Sequence, residues 1–445
     1  MPTAPAPPPA VTDRQAFLAA LCRSGILAPA RLAKATAAVP DDATAAAAAA
    51  ALVAAGFLTR FQAGRLLAGR TDGFVIDPYV IQEEVGRGPG GRVFKALHGS
   101  MHRTVAIKVL AAGRTRTPDA KEAFRREARA AAGLNHPNII TAFDASERGE
   151  RAYVATEYVD GPDLARLVKA RGPLPAAEAC EIVRQAAVAL EYAREQGMTH
   201  SGIKPTNLLV ARASKTLPGC VVKVADFGIS RLAPADAAVD TDTQLPAAGA
   251  ADYAAPEAAG DHRSDLYSLG CVFYFLLTGR PPFPGGSAES KASRHRGEFP
   301  APVEAQRPDV PPGVAEVVRR LLAKDPNARY PSAAALAARL DALAGGAGDE
   351  DGGYVAFDVP AGQASSSYQP GYLTGMNPPP APTTGRHAPV GETLSDASPW
   401  AALTDEVRPP RRRGGVSAVT LLAVVLSVAG AVALGASLVL KAVAR

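Results

Sequence analysis

Chemistry is concentrated at a few places in this 445-residue chain. Gly86, Gly88 and Gly91 are spaced as G-x-G-x-x-G and followed by Val93. Glycines at a hairpin turn let main-chain amides approach phosphate oxygens with no Cβ in the way. Alone the spacing is a weak signal, because glycine-rich turns between strands are common. Lys108 closes the run Val105-Ala106-Ile107-Lys108 and by itself reads either as a solvated strand lysine or as a cation for the same anion. Further on, the run His200-Ser201-Gly202-Ile203-Lys204-Pro205-Thr206-Asn207 and the triplet Asp226-Phe227-Gly228 add an ammonium at Lys204 and two hard oxygen donors, Asn207 and Asp226.

These groups need elements to hold them. Tyr79–Glu84 alternates as a strand should, and a second strand through Ala96 closes a hairpin with the glycines at its turn. Lys108 falls on the next strand, Glu127 in a helical run from Phe124 to Leu134, and Ala152–Tyr158 forms a further strand. Pro175–Gly197 reads as a long amphipathic helix with Ile182, Val183, Ala186, Ala187, Leu190 and Ala193 on one face, and it delivers the chain to His200. Val221–Val224 is a short strand that ends at Asp226. A strand-rich part followed by a helical one gives an α+β class.

In this order the motifs resemble those of eukaryotic-like (Hanks-type) bacterial serine/threonine protein kinases, over Tyr79 to Leu343. The glycine run matches G-x-G-x-x-G-x-V, Val105–Lys108 matches V-A-I-K, 200–207 matches the catalytic loop H-R-D-L-K-P-x-N, and 226–228 matches D-F-G. The resemblance implies a bilobal kinase-like fold, with a β-rich first lobe and a helical second, and a site for ATP with Mg²⁺. It implies that Glu127 pairs Lys108 on the α and β phosphates, and that Asn207 and Asp226 hold the metal ions. It makes Thr156 the gatekeeper and Glu157 to Val159 the hinge whose backbone bonds adenine, with Val93, Ala106 and Leu209 around the ring. These apolar side chains read equally well as ordinary core. Glu257, in Ala255-Pro256-Glu257, would pair with Arg329, and Asp265 would open the central buried helix. Gly56–Arg70 also resembles the leader that precedes the kinase domain in Planctomycetes-type bacterial kinases.

Three positions depart from the family pattern. Gly202 stands where the family has the aspartate that accepts the substrate hydroxyl's proton and aims the hydroxyl at the γ-phosphate. Losing such a group is worth about 10²–10⁴-fold in rate. Ala250 replaces a threonine that would bond that aspartate, and Ser201 replaces the loop arginine, so a phosphate on Thr241 or Thr243 would lack its usual partner. Lys204 is kept. The losses lie on the substrate side, which points to a signalling pseudokinase or scaffold that still binds Mg-ATP. The alternative is an active or weakly active serine/threonine kinase.

The remainder of the chain supplies context. Residues 1–12 are a Pro/Ala-rich tail without the basic and apolar regions of a secretory signal, so nothing there exports the chain. Residues 13–70 read as a helical domain in which Ser24-Gly25-Ile26-Leu27-Ala28-Pro29 is echoed by Ala55-Gly56-Phe57-Leu58-Thr59-Arg60. This is either a docking module or a plain bundle. The alanine run from Ala45 is expected to be a soluble helix capped by Asp41 or Asp42. The four cysteines share no close spacing, which fits free thiols in a reducing compartment, and the net charge of +5 carries no nucleic-acid footprint.

After the kinase-like region (79–343), residues 344–415 have the composition of a flexible linker. The 25-residue uncharged run 416–440 is long enough for a transmembrane helix. Arg408 and Arg411–Arg413 precede it, so the positive-inside rule keeps the kinase-like domain cytoplasmic in a single-pass protein of the cell membrane. Gly430, Ala431, Gly435 and Ala436 either pack two spans into a homodimer or simply face lipid.

Overall fold

The structure is a computed structural model, and it describes residues 10–88, 90–111, 115, 117–148, 151–211, 220–227, 249–257 and 261–345. Pro89, Gly228, Thr241, Thr243, the tether from 346 onward and the apolar run 416–440 lie outside the described residues. Among the described residues no helix is long and apolar enough to cross a membrane.

Four helices come first: α1 (Arg14–Ser24), α2 (Pro29–Ala37), α3 (Ala45–Ala54) and α4 (Arg60–Leu67). The echoed segments are the turns that end α1 and α3, at Gly25 and Gly56. The expected cap of α3 is corrected by the structure. Thr44 caps it, its hydroxyl accepting from Ala47 N at 3.2 Å, while Asp41 pairs with Arg14 at 2.9 Å. Asp41 and Asp42 lie too far upstream, and only the residue directly before the first turn can reach its free amides. Phe17, Leu21, Leu52 and Leu66 meet in the unit's core at 0–1% exposure, each worth about 1.5–3 kcal/mol of burial.

The unit does not stand apart. Thr59 and Gln62 form a capping box at the start of α4, with Thr59 N donating to Gln62 Oε1 at 2.9 Å. The same Gln62, 3% exposed, donates through Nε2 to Ile81 O at 2.7 Å, and Thr59 Oγ1 donates to Gln82 O at 2.6 Å. Phe61 packs against Phe94 with ring centroids 6.5 Å apart. Helix α4 therefore covers part of one face of the sheet that follows.

That sheet is antiparallel, in the order β1-β2-β3-β4-β6-β5, from β1 (Val75–Ile76), β2 (Tyr79–Gly88), β3 (Gly91–His98), β4 (Thr104–Leu110), β5 (Ala142–Arg148) and β6 (Arg151–Glu157). Helix α5 (Pro118–Ala132) crosses between β4 and β5. Side chains alternate along β4: Val105, Ile107 and Val109 are buried in the sheet's core, which turns Ala106 and Lys108 to the opposite face.

The helical half begins with α6 (Leu164–Arg171) and α7 (Ala176–Glu195), followed by the hairpin of β7 (Leu208–Ala211) and β8 (Val221–Val224). Then come α8 (His262–Thr278), α9 (Ala288–Gly297), α10 (Val303–Gln306), α11 (Pro312–Leu321) and α12 (Ala333–Gly345). The face anticipated on α7 is buried, and Ala179 and Ala189 join it. α8 is buried almost all round, as an element at the centre of a core must be. Arg329, 1% exposed, makes the expected bidentate pair with Glu257 (Nη1–Oε1 2.6 Å, Nη2–Oε2 2.8 Å) and donates further to the carbonyls of Ala323, Arg263 and Lys324. A buried guanidinium is stable only when its donors are used in this way.

Candidate active site

The glycine hairpin is the turn between β2 and β3, closed by the pair Gly88 and Gly91. Gly91 has φ 128°, and a Cβ there would stand 2.0 Å from Val109 O, so only glycine lets the hairpin fold this closely over β4. Lys108 reaches beneath the hairpin: a Cβ on Gly90 would lie 3.9 Å from its Nζ. The hairpin's base is fixed by Arg92, 2% exposed, which pairs with Glu84 and lies over the Phe94 ring at 5.1 Å. Burial pushes the Glu84 carboxyl up, but hydrogen bonds from Arg92 and Arg87 outweigh it and hold it below the usual range.

Lys108 does not pair with Glu127. Its Nζ lies 2.5 Å from Asp226 Oδ2, while the Glu127 carboxylate lies 3.8 Å from the guanidinium of the neighbouring Arg126. In this structure Lys108, on β4 of the sheet, instead pairs with Asp226, just after β8 in the helical half. Burial works to raise the Asp226 pKa, but the charge and hydrogen bond of Lys108 dominate and keep it low. A largely buried carboxylate needs a cation, and Lys108 supplies it.

Asn207 ends the 3₁₀ turn Pro205–Asn207. The register Leu208↔Val224, with Ala225 N donating to Asn207 O at 2.8 Å, brings Asn207 beside Ala225 and Asp226. Its side-chain Nδ2 donates to Gly202 O at 2.9 Å, which fixes the amide's orientation and turns Oδ1 into its acceptor end. The strand register thus brings an amide and an ionised carboxylate, oxygen donors of the kind Mg²⁺ accepts, to the same end of the β7–β8 pair. Lys204 is close enough to contribute to holding the Asp226 pKa down.

The loop that carries Gly202 is built from behind. Asp265, in the first turn of α8, accepts from His200 N at 2.7 Å and from Ser201 N at 2.8 Å. This clamp holds Ser201 at φ 57°, an uncommon backbone conformation for a serine. His200 is fully buried, its Nε2 2.7 Å from Ala225 O and its ring edge-on to Phe227 at 4.6 Å. A carbonyl can only accept, so Nε2 carries the proton, and burial keeps the ring's pKa low. Asp265 and Asp226 both act electrostatically on His200, and both are engaged.

Val93, Ala106 and Leu209 are the half-buried members of strands whose neighbours Phe94, Ile107, Leu208 and Val210 are buried. Val93 sits opposite Lys108, and Ala106 opposite Thr156. At the strand's end, Glu157 N donates to Thr141 O at 2.8 Å and its carboxylate pairs with Lys223 at 2.9 Å; Val159 is buried. Ala250 is exposed at the start of a 3₁₀ turn whose Asp252 pairs with Lys291 of α9 at 2.7 Å.

Sequence reasoning missed several residues. Asp265 was expected only to open a helix, although a carboxylate in an apolar helix signals a partner elsewhere. Gly161, whose Cβ would lie 1.9 Å from Val210 O, and Asp163 and Arg166 at the start of α6 carried no motif.

Residues 79–340 match the family described as protein kinase domain. The chain is 40% identical over 272 residues to the serine/threonine-protein kinase PknB of Mycolicibacterium smegmatis, covering 59% of this chain and 42% of that one. It is 37% identical over 276 residues to a probable serine/threonine-protein kinase of Streptomyces coelicolor, covering 60% and 40%. Among solved structures, the Mycobacterium tuberculosis PknI kinase domain aligns with 62% of this chain and 98% of its own, at 28% identity and a TM-score of 0.49. The chain thus spans about two fifths of the length of the curated relatives it matches.

Proposed function

The chain belongs to the protein kinase domain family, and on that premise we propose that it is a serine/threonine protein kinase that binds Mg-ATP and transfers the γ-phosphate to protein hydroxyls slowly. The carrying observation is the set of groups under the glycine hairpin: Lys108 against Asp226, with Asn207 oriented by Gly202 O. The relatives named serine/threonine-protein kinase support the same direction. In this reading Asn207 Oδ1 and the Asp226 carboxylate hold the metal, which when bound supplies positive charge against the phosphates. Lys108 exchanges Asp226 for the α and β phosphates, and Glu127 then becomes its carboxylate partner. Val93, Ala106 and Leu209 enclose the adenine ring, and main-chain groups of Glu157 to Val159 bond its edge. Lys204 offsets charge on the γ-phosphate. With Gly202 in the loop, no carboxylate at that position aims the hydroxyl, so transfer is slower by about 10²–10⁴-fold than with the aspartate present.

A second reading, a signalling pseudokinase, is favoured by the coincidence of Gly202 with Ala250 and Ser201, all on the side where a substrate hydroxyl would arrive. Anchoring belongs to the same proposal: the run 416–440 holds the protein in the cell membrane with the kinase domain on the cytoplasmic side.

Labelled ATP and a generic protein substrate separate the readings. Transfer that disappears in Lys108→Met supports slow catalysis. Nucleotide binding without any transfer, in the wild type and under long incubation, moves the conclusion to the pseudokinase.

A further inference from the structure

We propose that Arg166 is a positioning residue that straps the mouth of the cleft, holding its roof to its floor and slowing nucleotide exchange. The nucleotide half of this inference rests on the function proposed above.

The floor is the strand that carries Leu209. The chain entering α6 is pressed on it: Val210 N donates to Pro162 O at 2.9 Å, and Asp163 forms an antiparallel bridge with Leu209. Gly161 makes this approach feasible, because a side chain there would collide with Val210 O. The start of α6 is therefore fixed to the floor.

The roof is β2. Its pairing with β3 runs through Glu84↔Phe94 and resumes at Gly86↔Val93, which leaves Val85 as the extra residue of a bulge. A bulge takes a residue out of the ladder and re-aims its polar groups. The Val85 carbonyl accepts from Arg166 Nη2 at 2.8 Å. Arg166 Nε lies 3.4 Å from Asp163 Oδ2, and Asp163 Oδ1 accepts from Arg166 N at 2.9 Å.

One guanidinium thus joins the residue directly before Gly86 to the residue bridged with Leu209. The contact crosses from the helical half to the sheet, and it sits where the glycine hairpin must lift for a nucleotide to leave. A planar fork can serve both partners at once; a lysine has a single nitrogen for them.

The test uses the full chain with Arg166→Ala and Arg166→Lys. The side chain is 63% exposed, so neither change opens a cavity, and unchanged Tm verifies folding. The first readout needs no nucleotide: hydrogen–deuterium exchange of amides in 84–93. Arg166→Ala is expected to raise it about three- to tenfold, the size of a charge-assisted hydrogen bond discounted for exposure, with Arg166→Lys in between. The second is stopped-flow release of a fluorescent ATP analogue with Mg²⁺, whose dissociation rate is expected to rise by a similar factor while association changes less. Unchanged amide exchange in Arg166→Ala overturns the strap. Raised amide exchange with unchanged release overturns its control of the nucleotide. If the wild type binds no analogue while amide exchange still responds to Arg166→Ala, the functional reading falls, its nucleotide consequence falls with it, and the strap between the halves stands.

Discussion

Lys108 Nζ lies 2.5 Å from Asp226 Oδ2, so the cation expected on a phosphate and the carboxylate expected on a metal neutralise each other. Removing one partner leaves the other largely buried without a counter-charge. Lys108→Met is therefore expected to destabilise the nucleotide-free protein by about 2 kcal/mol, and Asp226→Asn added to it to recover part of that loss. Urea unfolding of the single and double variants measures the coupling, and strictly additive effects would contradict it.

Gly202→Asp is expected to raise phosphotransfer by about 10²-fold, toward the low end of the range for a restored proton acceptor. The low end follows from Ala250: a carboxylate returned to the loop would lack the hydroxyl that bonds it in the family pattern. Adding Ala250→Thr is expected to increase the gain. Steady-state transfer to a generic serine/threonine substrate checks both steps, and a Gly202→Asp rate no higher than wild type would count against the assigned role of the loop.

Acid is expected to weaken the fold through His295. Burial, followed by the charge of Lys324, lowers this histidine's pKa from 6.5 to about 4, and Tyr267 Oη lies 2.9 Å from its Nδ1. The sign follows from the unfolded chain taking up the proton first. The contribution is complete above pH 6.5 and declines as pH falls toward about 4, below which both states are protonated. Its full size is about 3 kcal/mol. His295→Gln is expected to flatten the fall in stability over that interval, measured by denaturation at a series of pH values.

Gln62→Ala tests the seat of the helical unit on the sheet. The change strands Ile81 O and Thr59 N, both currently bonded to the buried amide, and is expected to cost about 2 kcal/mol. Gln62→Glu keeps the cap on Thr59 N but presents oxygen, not N–H, to Ile81 O, and is expected to be at least as harmful. Chemical denaturation distinguishes these from the near-neutral effect of an ordinary surface glutamine.

Much of this architecture was legible in the sequence because local period and motif spacing carry it. Alternation along Val105–Leu110 already turns Lys108 away from Ile107 and Val109, and the apolar face of α7 follows from its 3.6-residue repeat. What escaped depends on distance. Nothing local to Lys108 says which of two carboxylates takes it, Asp226 or Glu127. Asp265 acts on a loop far back in the chain, and Arg166 is meaningful only once a bulge at Val85 has turned a carbonyl outward. Thr44 differs: its capping role is readable locally, since it directly precedes the first turn, whereas Asp41 and Asp42 stand three and two residues before it.

Gln62 completes the cap of its own helix and also closes a bond to Ile81, two residues inside the stretch that matches the family. The piece held together by these contacts is therefore longer than the matched one. A fragment begun at Tyr79 would bare the side of Phe94 that Phe61 now shields and become prone to self-association, so transplanting the matched region means carrying the four preceding helices with it.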